Sequence, residues 1–291
     1  MKIGLGAVQF GVDYGVSNTH GKTTEDEASK ILKLAYGSGI NLIDTAASYG
    51  GSEKILGKVI VNDNWRFVTK TPHFSDNYLN NTHVSQLKES LNQSLFNLRQ
   101  KDIYALLLHS CNDLLKPGGK LLFKEMERLK SIGIIEKIGV SVYNSKQIEE
   151  IIGKFDIDLI QLPISIFDQR LFIDGWLEKI KNNDIEIHAR SVFLQGLLLM
   201  PLESIPLYFS PIKEKIKMLS KSAKELSLSK LELALRYVTS IDEIDQVLVG
   251  VNTVSQLQEI IKAKQIQINP MDFTGNSIDS PIYVNPSLWE T

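Results

Sequence analysis

Hydrophobic residues along the 291-residue chain follow two alternating patterns. Short runs of β-branched and aliphatic residues are typical of buried strands, and between them lie longer stretches with apolar residues at helical spacing. We count about eight units of each kind. The predicted strands are KIGLGAVQF from Lys2, NLIDTA from Asn41, RFVTK from Arg66, IYALLLH from Ile103, KIGVSV from Lys137, LIQLPI from Leu159, EIHARSV from Glu186 and QVLVGV from Gln246.

Eight consecutive βα units predict an α/β protein, a single-domain (β/α)8 TIM barrel. An open, doubly wound sheet is the alternative. The even spacing shows no linker, so we expect one domain over residues 1–291. The tail from Asn269 lacks clear periodicity, and we expect 270–291 to form a C-terminal loop over the barrel. Tyr283 and Trp289 in this tail are candidates to wall a substrate pocket.

Two helices carry local signals in the sequence. Thr24 and Glu27 have the spacing of a capping box, in which each side chain caps the backbone N–H of the other residue. Ser210 or Pro211 opens the lysine-rich stretch PIKEKIKMLSKSAKEL, whose apolar residues recur at helical spacing. We interpret its lysines as a solvated face.

Composition and charge exclude several classes of protein. The 32 Lys and Arg nearly balance the 34 Asp and Glu, so we expect no nucleic-acid partner. The single cysteine, Cys111, fits a reducing compartment. The longest apolar run, Ser191–Leu202, is shorter than the roughly 20 residues of a membrane span, and we see no signal peptide. We therefore expect a cytoplasmic protein without a membrane partner. The histidines lack metal-ligand spacing, and no metal is expected.

Ionisable residues end three successive predicted strands, where barrel proteins hold their chemistry. Each follows an apolar residue by two positions and so shares its face of the strand; the pairs are Leu42 and Asp44, Val68 and Lys70, and Leu107 and His109. If the apolar members face the barrel interior, Asp44, Lys70 and His109 converge at its mouth. Tyr49 lies in the loop just beyond Asp44.

This set of four side chains has a chemical logic. Lys70, held charged by Asp44, is expected to lower the pKa of Tyr49 and make it a usable general acid. His109 can donate a hydrogen bond to a carbonyl oxygen and stabilise the negative charge that develops there. Such a site would reduce carbonyl groups.

The segment GINLIDTAASYGGSEKILG resembles the signature of the aldo-keto reductase family: an Asp, then Tyr-Gly, then Ser-Glu before a helix. By this resemblance Asp44, Tyr49, Lys70 and His109 match the family's catalytic Asp, Tyr, Lys and His in the expected strand order. The resemblance covers nearly the whole chain and is to a short bacterial-type member, because the first strand leaves no room for the N-terminal hairpin of many relatives. It implies an oxidoreductase that binds a nicotinamide cofactor without a Rossmann fold.

The resemblance also implies which residues bind that cofactor. Ser141 and Gln161 match residues that hold the carboxamide, and Asn144 substitutes for an asparagine that many members have at the position of Val142. Arg190 stands where many members stack an aromatic ring on the nicotinamide. The other positions carried over are Ser191, Leu194 and Gly196 along the pyrophosphate, and Gly250, Asn252, Thr253, Gln256 and Glu259 at the adenosine end.

The adenosine end departs from the family pattern. The last predicted helix is expected to supply free backbone N–H groups for an anion at its N-terminus. Members that prefer NADPH commonly place Lys or Arg in this segment, yet none lies between Gly250 and Glu259. NADP is expected on family grounds, and NAD is the alternative.

Three functions remain open from the sequence. The first is an NAD(P)H-dependent oxidoreductase that reduces an aldehyde or ketone, with sugar derivatives among its candidate small-molecule substrates. The second is a cofactor-binding regulatory subunit that acts as a redox sensor with little turnover. The third is a phosphate-handling barrel hydrolase or isomerase.

Overall fold

The computed structural model describes residues 2–60, 64–263 and 268–289. Eight parallel strands pair in chain order, and the last pairs with the first to close a barrel. The predicted TIM barrel is confirmed, and the open sheet is excluded. The strands are β1 (Ile3–Gly6), β2 (Leu42–Asp44), β3 (Arg66–Lys70), β4 (Ile103–Leu108), β5 (Ile135–Ser141), β6 (Leu159–Pro163), β7 (Glu186–Arg190) and β8 (Gln246–Gly250).

Helices follow the strands and cover the outside of the barrel. They are α1 (Val8–Gly11), α2 (Glu25–Gly37), α3 (Ser52–Val59), α4 (Asn81–Leu98), α5 (Asn112–Leu115), α6 (Gly119–Ser131), α7 (Ser145–Ile151), α8 (Arg170–Ile173), α9 (Trp176–Lys181), α10 (Lys213–Glu225), α11 (Lys230–Thr239), α12 (Val254–Ala263) and α13 (Pro281–Val284). Within the described ranges, every helix is too short or too polar to cross a membrane.

The two local helix signals have different outcomes. Thr24 Oγ1 accepts a hydrogen bond from Glu27 N at 3.3 Å, as the capping box requires. The reciprocal half is wrong, because the Glu27 carboxylate accepts from Val254 N, 2.8 Å away at the start of α12. The lysine-rich helix α10 begins at Lys213, after a 3-10 turn over Leu207–Ile212, and its lysines are mainly exposed.

The barrel interior has an apolar middle layer between two polar ends. The side chains of this layer are buried and belong to Leu42, Val68, Ala105, Leu107, Leu159 and Leu248. The apolar members of the three sequence pairs therefore face inward, as predicted. Because side chains alternate along a strand, the residues two positions further on also face inward at the carboxyl ends of the strands.

The tail packs against the barrel through short helical turns rather than as a continuous loop. Ile278 N donates a hydrogen bond to Phe167 O at 2.8 Å. Trp289 packs against Phe209, with ring centroids 4.7 Å apart, and Tyr283 packs against Tyr208. Residues 290 and 291 lie outside the described ranges.

Candidate active site

A buried ion pair joins the ends of β2 and β3. Lys70 Nζ donates hydrogen bonds to both carboxylate oxygens of Asp44, each at 2.8 Å, and to Thr45 O at 2.9 Å. Lys70 is only 2% exposed and Asp44 6%. A buried charge is costly unless it is paired and hydrogen-bonded, and both conditions are met here. The pairing predicted from the sequence is present.

Tyr49 lies in the tight connection between β2 and α3, next to this pair. Its ring centroid is 5.1 Å from Lys70 Nζ. The connection is held by backbone hydrogen bonds from Tyr49 N to Ala46 O and from Ser52 N to Tyr49 O. Gly11 presses against it so closely that an added Cβ would lie 1.7 Å from Tyr49 O. This close approach requires glycine and fixes the backbone that carries the tyrosine.

His109 follows β4 directly and completes the group of four. Its ring lies edge-on to Tyr49 with centroids 6.1 Å apart, and it stacks on His73 at 4.1 Å. Its backbone N–H donates to Thr71 Oγ1 at 3.3 Å. Within the described residues, His109 Nδ1 is buried without a hydrogen-bond partner.

Burial and neighbouring charges set the protonation states of the three titrating groups. Burial raises the pKa of Tyr49, and the opposing effect of the Lys70 ammonium does not overcome it. The expected lowering of the Tyr49 pKa is therefore wrong in its net direction. Burial alone would lower the pKa of Lys70, but Asp44 raises it above its usual value. The pKa of His109 is lowered to about 3, first by burial and then by electrostatic interactions with Lys70, His73 and Arg190. At neutral pH the site holds a phenol, an ammonium and a neutral imidazole.

A cavity of about 560 Å³ opens over these four residues and extends to β8 and α12. Its volume lies within the usual range for small-molecule sites. It brings the four residues together with nine of the twelve residues proposed for the cofactor: Ser141, Gln161, Arg190, Ser191, Gly196, Gly250, Asn252, Gln256 and Glu259.

The other three proposed residues are not among the described residues that line the cavity. Asn144 is the N-cap of α7, where its Oδ1 accepts from Gln147 N at 3.0 Å. Thr253 Oγ1 accepts from Gln256 N at 3.3 Å at the start of α12. Leu194 is fully buried. Each has a local structural role that the sequence pattern did not indicate.

Two cavity side chains are fixed by neighbours. Gln161 Nε2 donates to Asp44 Oδ1 at 2.7 Å, which ties the end of β6 to the ion pair. The Arg190 guanidinium lies 4.2 Å from the centroid of the Tyr143 ring and donates to Val142 O at 3.1 Å. Arg190 is thus held as a flat, cationic wall of the cavity.

The N-terminus of α12 is already capped by the chain itself. Gln256 Oε1 accepts from Asn252 N at 2.7 Å and from Thr253 N at 3.3 Å. Glu27 Oε1 accepts from Val254 N at 2.8 Å. Three of the N–H groups that were expected to be free for an anion are therefore engaged by side chains of α2 and α12.

Comparisons with known proteins show the family of the chain. The model of the Aldo/keto reductase family matches residues 2–278. The chain belongs to this family. It is 27% identical to the uncharacterized oxidoreductase YqkF of Bacillus subtilis, over 90% of this chain and 86% of the relative. It is 28% identical to L-galactose dehydrogenase of Arabidopsis thaliana, over 89% of this chain and 84% of the relative. The structure of aldo-keto reductase AKR11C1 from Bacillus halodurans has the same fold, with a TM-score of 0.78, 22% identity and coverage of 96% and 93%.

Sequence reasoning missed several cavity residues of this aldo-keto reductase. Tyr143 follows β5 and supports Arg190, but a lone aromatic residue in a loop carries no spacing signal. From the tail, Pro286 and Ser287 line the cavity, whereas Tyr283 and Trp289, the expected walls, are not among the described lining residues. The tail lacks periodicity, and which of its residues face inward depends on turns that only the structure defines.

Proposed function

We propose that this chain catalyses the NAD(P)H-dependent reduction of an aldehyde or ketone to an alcohol. The observation that carries the proposal is the buried Asp44–Lys70 pair, with Tyr49 and His109 beside it at one end of a cavity. Membership of an oxidoreductase family supports the reaction class. A proton donor, a fixed cation and a neutral hydrogen-bonding group are what the reduction of a carbonyl requires of the protein.

The cavity lining fits a nicotinamide dinucleotide. Ser141 and Gln161 offer a hydroxyl and an amide oxygen to the carboxamide, because only the amide nitrogen of Gln161 is engaged by Asp44. Gln9 Oε1 is buried without a partner within the described residues. Beside it, Gly250 leaves a cradle, since an added Cβ would lie 2.4 Å from Gln9 Nε2. The chemistry that the dinucleotide supplies when bound is a hydride for the carbonyl carbon.

Tyr49 supplies the proton. Its raised pKa keeps the hydroxyl protonated at neutral pH, so a proton is available for the substrate oxygen. As the carbonyl carbon is reduced, the C=O electron pair moves to oxygen, and that oxygen takes the proton of Tyr49. The phenolate left behind is stabilised by the Lys70 ammonium and regains a proton from water. Asp44 keeps Lys70 charged throughout.

His109 orients the carbonyl group. Its pKa of about 3 makes the imidazole neutral at physiological pH, and one ring nitrogen can then donate a hydrogen bond to the substrate oxygen. A neutral donor does not compete with Tyr49 for the role of acid, because its proton is far less acidic than that of an imidazolium. The two residues therefore divide the work: His109 positions the oxygen, and Tyr49 protonates it.

Small polyhydroxylated carbonyl compounds are the substrate class that we favour. The Arabidopsis relative is named as an L-galactose dehydrogenase, which supports a sugar derivative. The cavity wall also includes polar side chains, among them Tyr14, Asn18, Gln195 and Ser287. Hydroxyl groups of a sugar can hydrogen-bond to such side chains.

Titration with NADH and NADPH, followed by a panel of aldehydes, ketones and reducing sugars, tests this function. Binding is measured from nicotinamide fluorescence and turnover from its absorbance. We expect binding and turnover of at least one carbonyl compound. Binding without turnover across the panel would favour the redox-sensor function, and no binding of either dinucleotide would favour a phosphate-handling barrel enzyme.

A further inference from the structure

The cavity has two ends with different lining residues. The proposed reaction determines which half of the dinucleotide belongs at each end. Hydride donation must occur beside Tyr49 and His109, so the nicotinamide belongs at that end. The adenosine half then extends to the other end, which is lined by Gly250, Asn252 and Gln256. The residues there would hold the adenosine ribose, which is the part of the molecule where NADP carries an extra phosphate.

Three backbone N–H groups at that end already have partners and are not free to bind a phosphate. Gln256 Oε1 engages the N–H groups of Asn252 and Thr253, and Glu27 Oε1 engages that of Val254. A 2′-phosphate would have to displace a carboxylate and an amide to reach the positive end of the α12 dipole. The sequence hides this feature, because Glu27 lies more than 220 positions from Val254 and reads as a local cap of α2.

The charges at that end are also unfavourable for a phosphate. Glu259 lines the cavity and Glu27 caps the helix beside it. Lys30 Nζ lies 3.9 Å from Glu27 Oε2, but the lysine side chain is 68% exposed. Because water screens an exposed ion pair, Lys30 offsets little of the negative charge. Among the described residues that line the cavity, the Lys and Arg side chains are Lys70 and Arg190, which follow β3 and β7 at the catalytic end.

We propose that this chain selects NAD(H) over NADP(H), through the self-capped N-terminus of α12 and the carboxylates of Glu27 and Glu259. This inference rests on the proposed function, because it takes a dinucleotide to occupy the cavity. A phosphate dianion is repelled by these carboxylates, and the nearby Lys30 is already paired with Glu27, whereas ribose hydroxyls can donate hydrogen bonds to the same acceptors. The structure thus favours the NAD alternative over the NADP expected from family resemblance.

Isothermal titration calorimetry of the wild-type protein with NADH and NADPH tests the preference without any substrate. We expect a Kd for NADH at least about tenfold lower than that for NADPH, a difference of about 1.4 kcal/mol. Equal or tighter binding of NADPH would overturn the preference and leave the proposed function standing. Failure of both dinucleotides to bind would overturn the two together.

Variants of α12 locate the cause. Gln256→Arg releases the N–H groups of Asn252 and Thr253 and adds a cation, so we expect it to tighten NADPH binding by about tenfold or more. Adding Glu27→Gln should tighten NADPH binding further, and NADH should bind more weakly because its ribose hydroxyls lose the Gln256 amide and the Glu27 carboxylate as acceptors. Gln258→Arg is the matched control: it adds the same charge to the same helix at an exposed position that is not among the described lining residues. An equal gain for NADPH in Gln256→Arg and the control would refute this assignment.

Discussion

The barrel holds an ion pair at each end, and the two have different surroundings. At the mouth, Lys70 pairs with Asp44 beside the cavity. At the bottom, Lys137 pairs with Glu186 at the amino ends of β5 and β7. Both pairs arise in the same way, from ionisable residues at inward-facing strand positions above and below the apolar layer. The difference lies in whether a cavity borders the pair: Asp44 and Lys70 line it, and Lys137 and Glu186 are not among its described lining residues.

The bottom pair is enclosed by neighbouring side chains. Glu186 Oε2 accepts from Lys137 Nζ and from the Tyr104 hydroxyl at 2.6 Å, and Oε1 lies 2.8 Å from His188 Nε2. Burial alone would raise the pKa of Glu186, but these hydrogen bonds lower it well below its usual range. The Arg66 guanidinium stacks 4.8 Å from the centroid of the Tyr104 ring. This network fills the bottom of the barrel with hydrogen-bonded and stacked side chains.

The mouth pair keeps reactive neighbours instead. Tyr49 and His109 border the cavity, and within the described residues His109 Nδ1 is buried without a partner. The comparison teaches that an inward ionisable residue indicates a candidate active site only where its surroundings leave room and hydrogen-bonding capacity for a substrate. Where neighbouring side chains enclose the residue and it is not among the described residues that line the cavity, as with Lys137 and Glu186, the same kind of residue contributes to stability.

The same substitution at the two ends should give the largest contrast. Tyr49→Phe removes the proposed acid, and we expect turnover to fall by about 10²–10⁴ while dinucleotide affinity changes less than about threefold. Tyr104→Phe removes the corresponding hydroxyl at the bottom and should leave turnover within about twofold. Steady-state kinetics with the best carbonyl substrate, together with Kd values, measures both effects. Unchanged turnover in Tyr49→Phe would remove that residue from its proposed role.

Breaking the bottom pair should affect stability rather than chemistry. Glu186→Gln leaves the Lys137 ammonium without its counter-charge. We therefore expect the free energy of unfolding, measured with urea, to fall by about 2 kcal/mol. The expected loss is below that for a fully buried pair because the Lys137 side chain is 27% exposed. Glu136→Gln, an exposed neighbour on β5, is the control and should change stability by less than about 0.5 kcal/mol. A kcat reduced more than about threefold by Glu186→Gln would contradict the division between the two ends.

The mouth could be predicted from the sequence because its signal is local and repeated. On three strands an apolar residue precedes an ionisable one by two positions, and strand periodicity alone places the second residue of each pair at the mouth. The eight strands could also be predicted, because each is a short apolar run. Residues such as Asp44 and Lys70 lie on adjacent strands, so predicting the barrel also predicted their contact.

The rest depended on contacts between distant segments or on net electrostatics. Glu27 reads as a local cap, but the folded chain brings α12 close enough to bind its carboxylate. Asn144 resembled a cofactor ligand but caps α7. The net pKa direction of Tyr49 required the balance between burial and the Lys70 charge, which a sequence does not contain. The bottom network lies at the amino ends of the strands, whereas the chemistry of barrel proteins indicates candidate residues only at the carboxyl ends.

Acid unfolding should separate the two ends by pH. In the unfolded chain His109 takes up a proton near pH 6.5, but in the folded protein only near pH 3, so unfolding absorbs a proton between these values. Stability should therefore fall by at most about 1.4 kcal/mol per pH unit below pH 6.5. Glu186, whose pKa is lowered by folding, stabilises the protein above its unfolded pKa of about 4.3, and this contribution is lost only as the pH falls further.

Unfolding free energies of single variants assign these two windows. His109→Gln should flatten the slope between pH 6.5 and about pH 5, whereas Glu186→Gln should leave that slope unchanged and reduce the loss below about pH 4.3. Urea unfolding at half-unit pH steps, followed by circular dichroism, measures both slopes. If His109→Gln keeps the wild-type slope above pH 5, the imidazole at the mouth is not held neutral by burial and neighbouring cations, and its role as a neutral donor beside Tyr49 loses its physical basis.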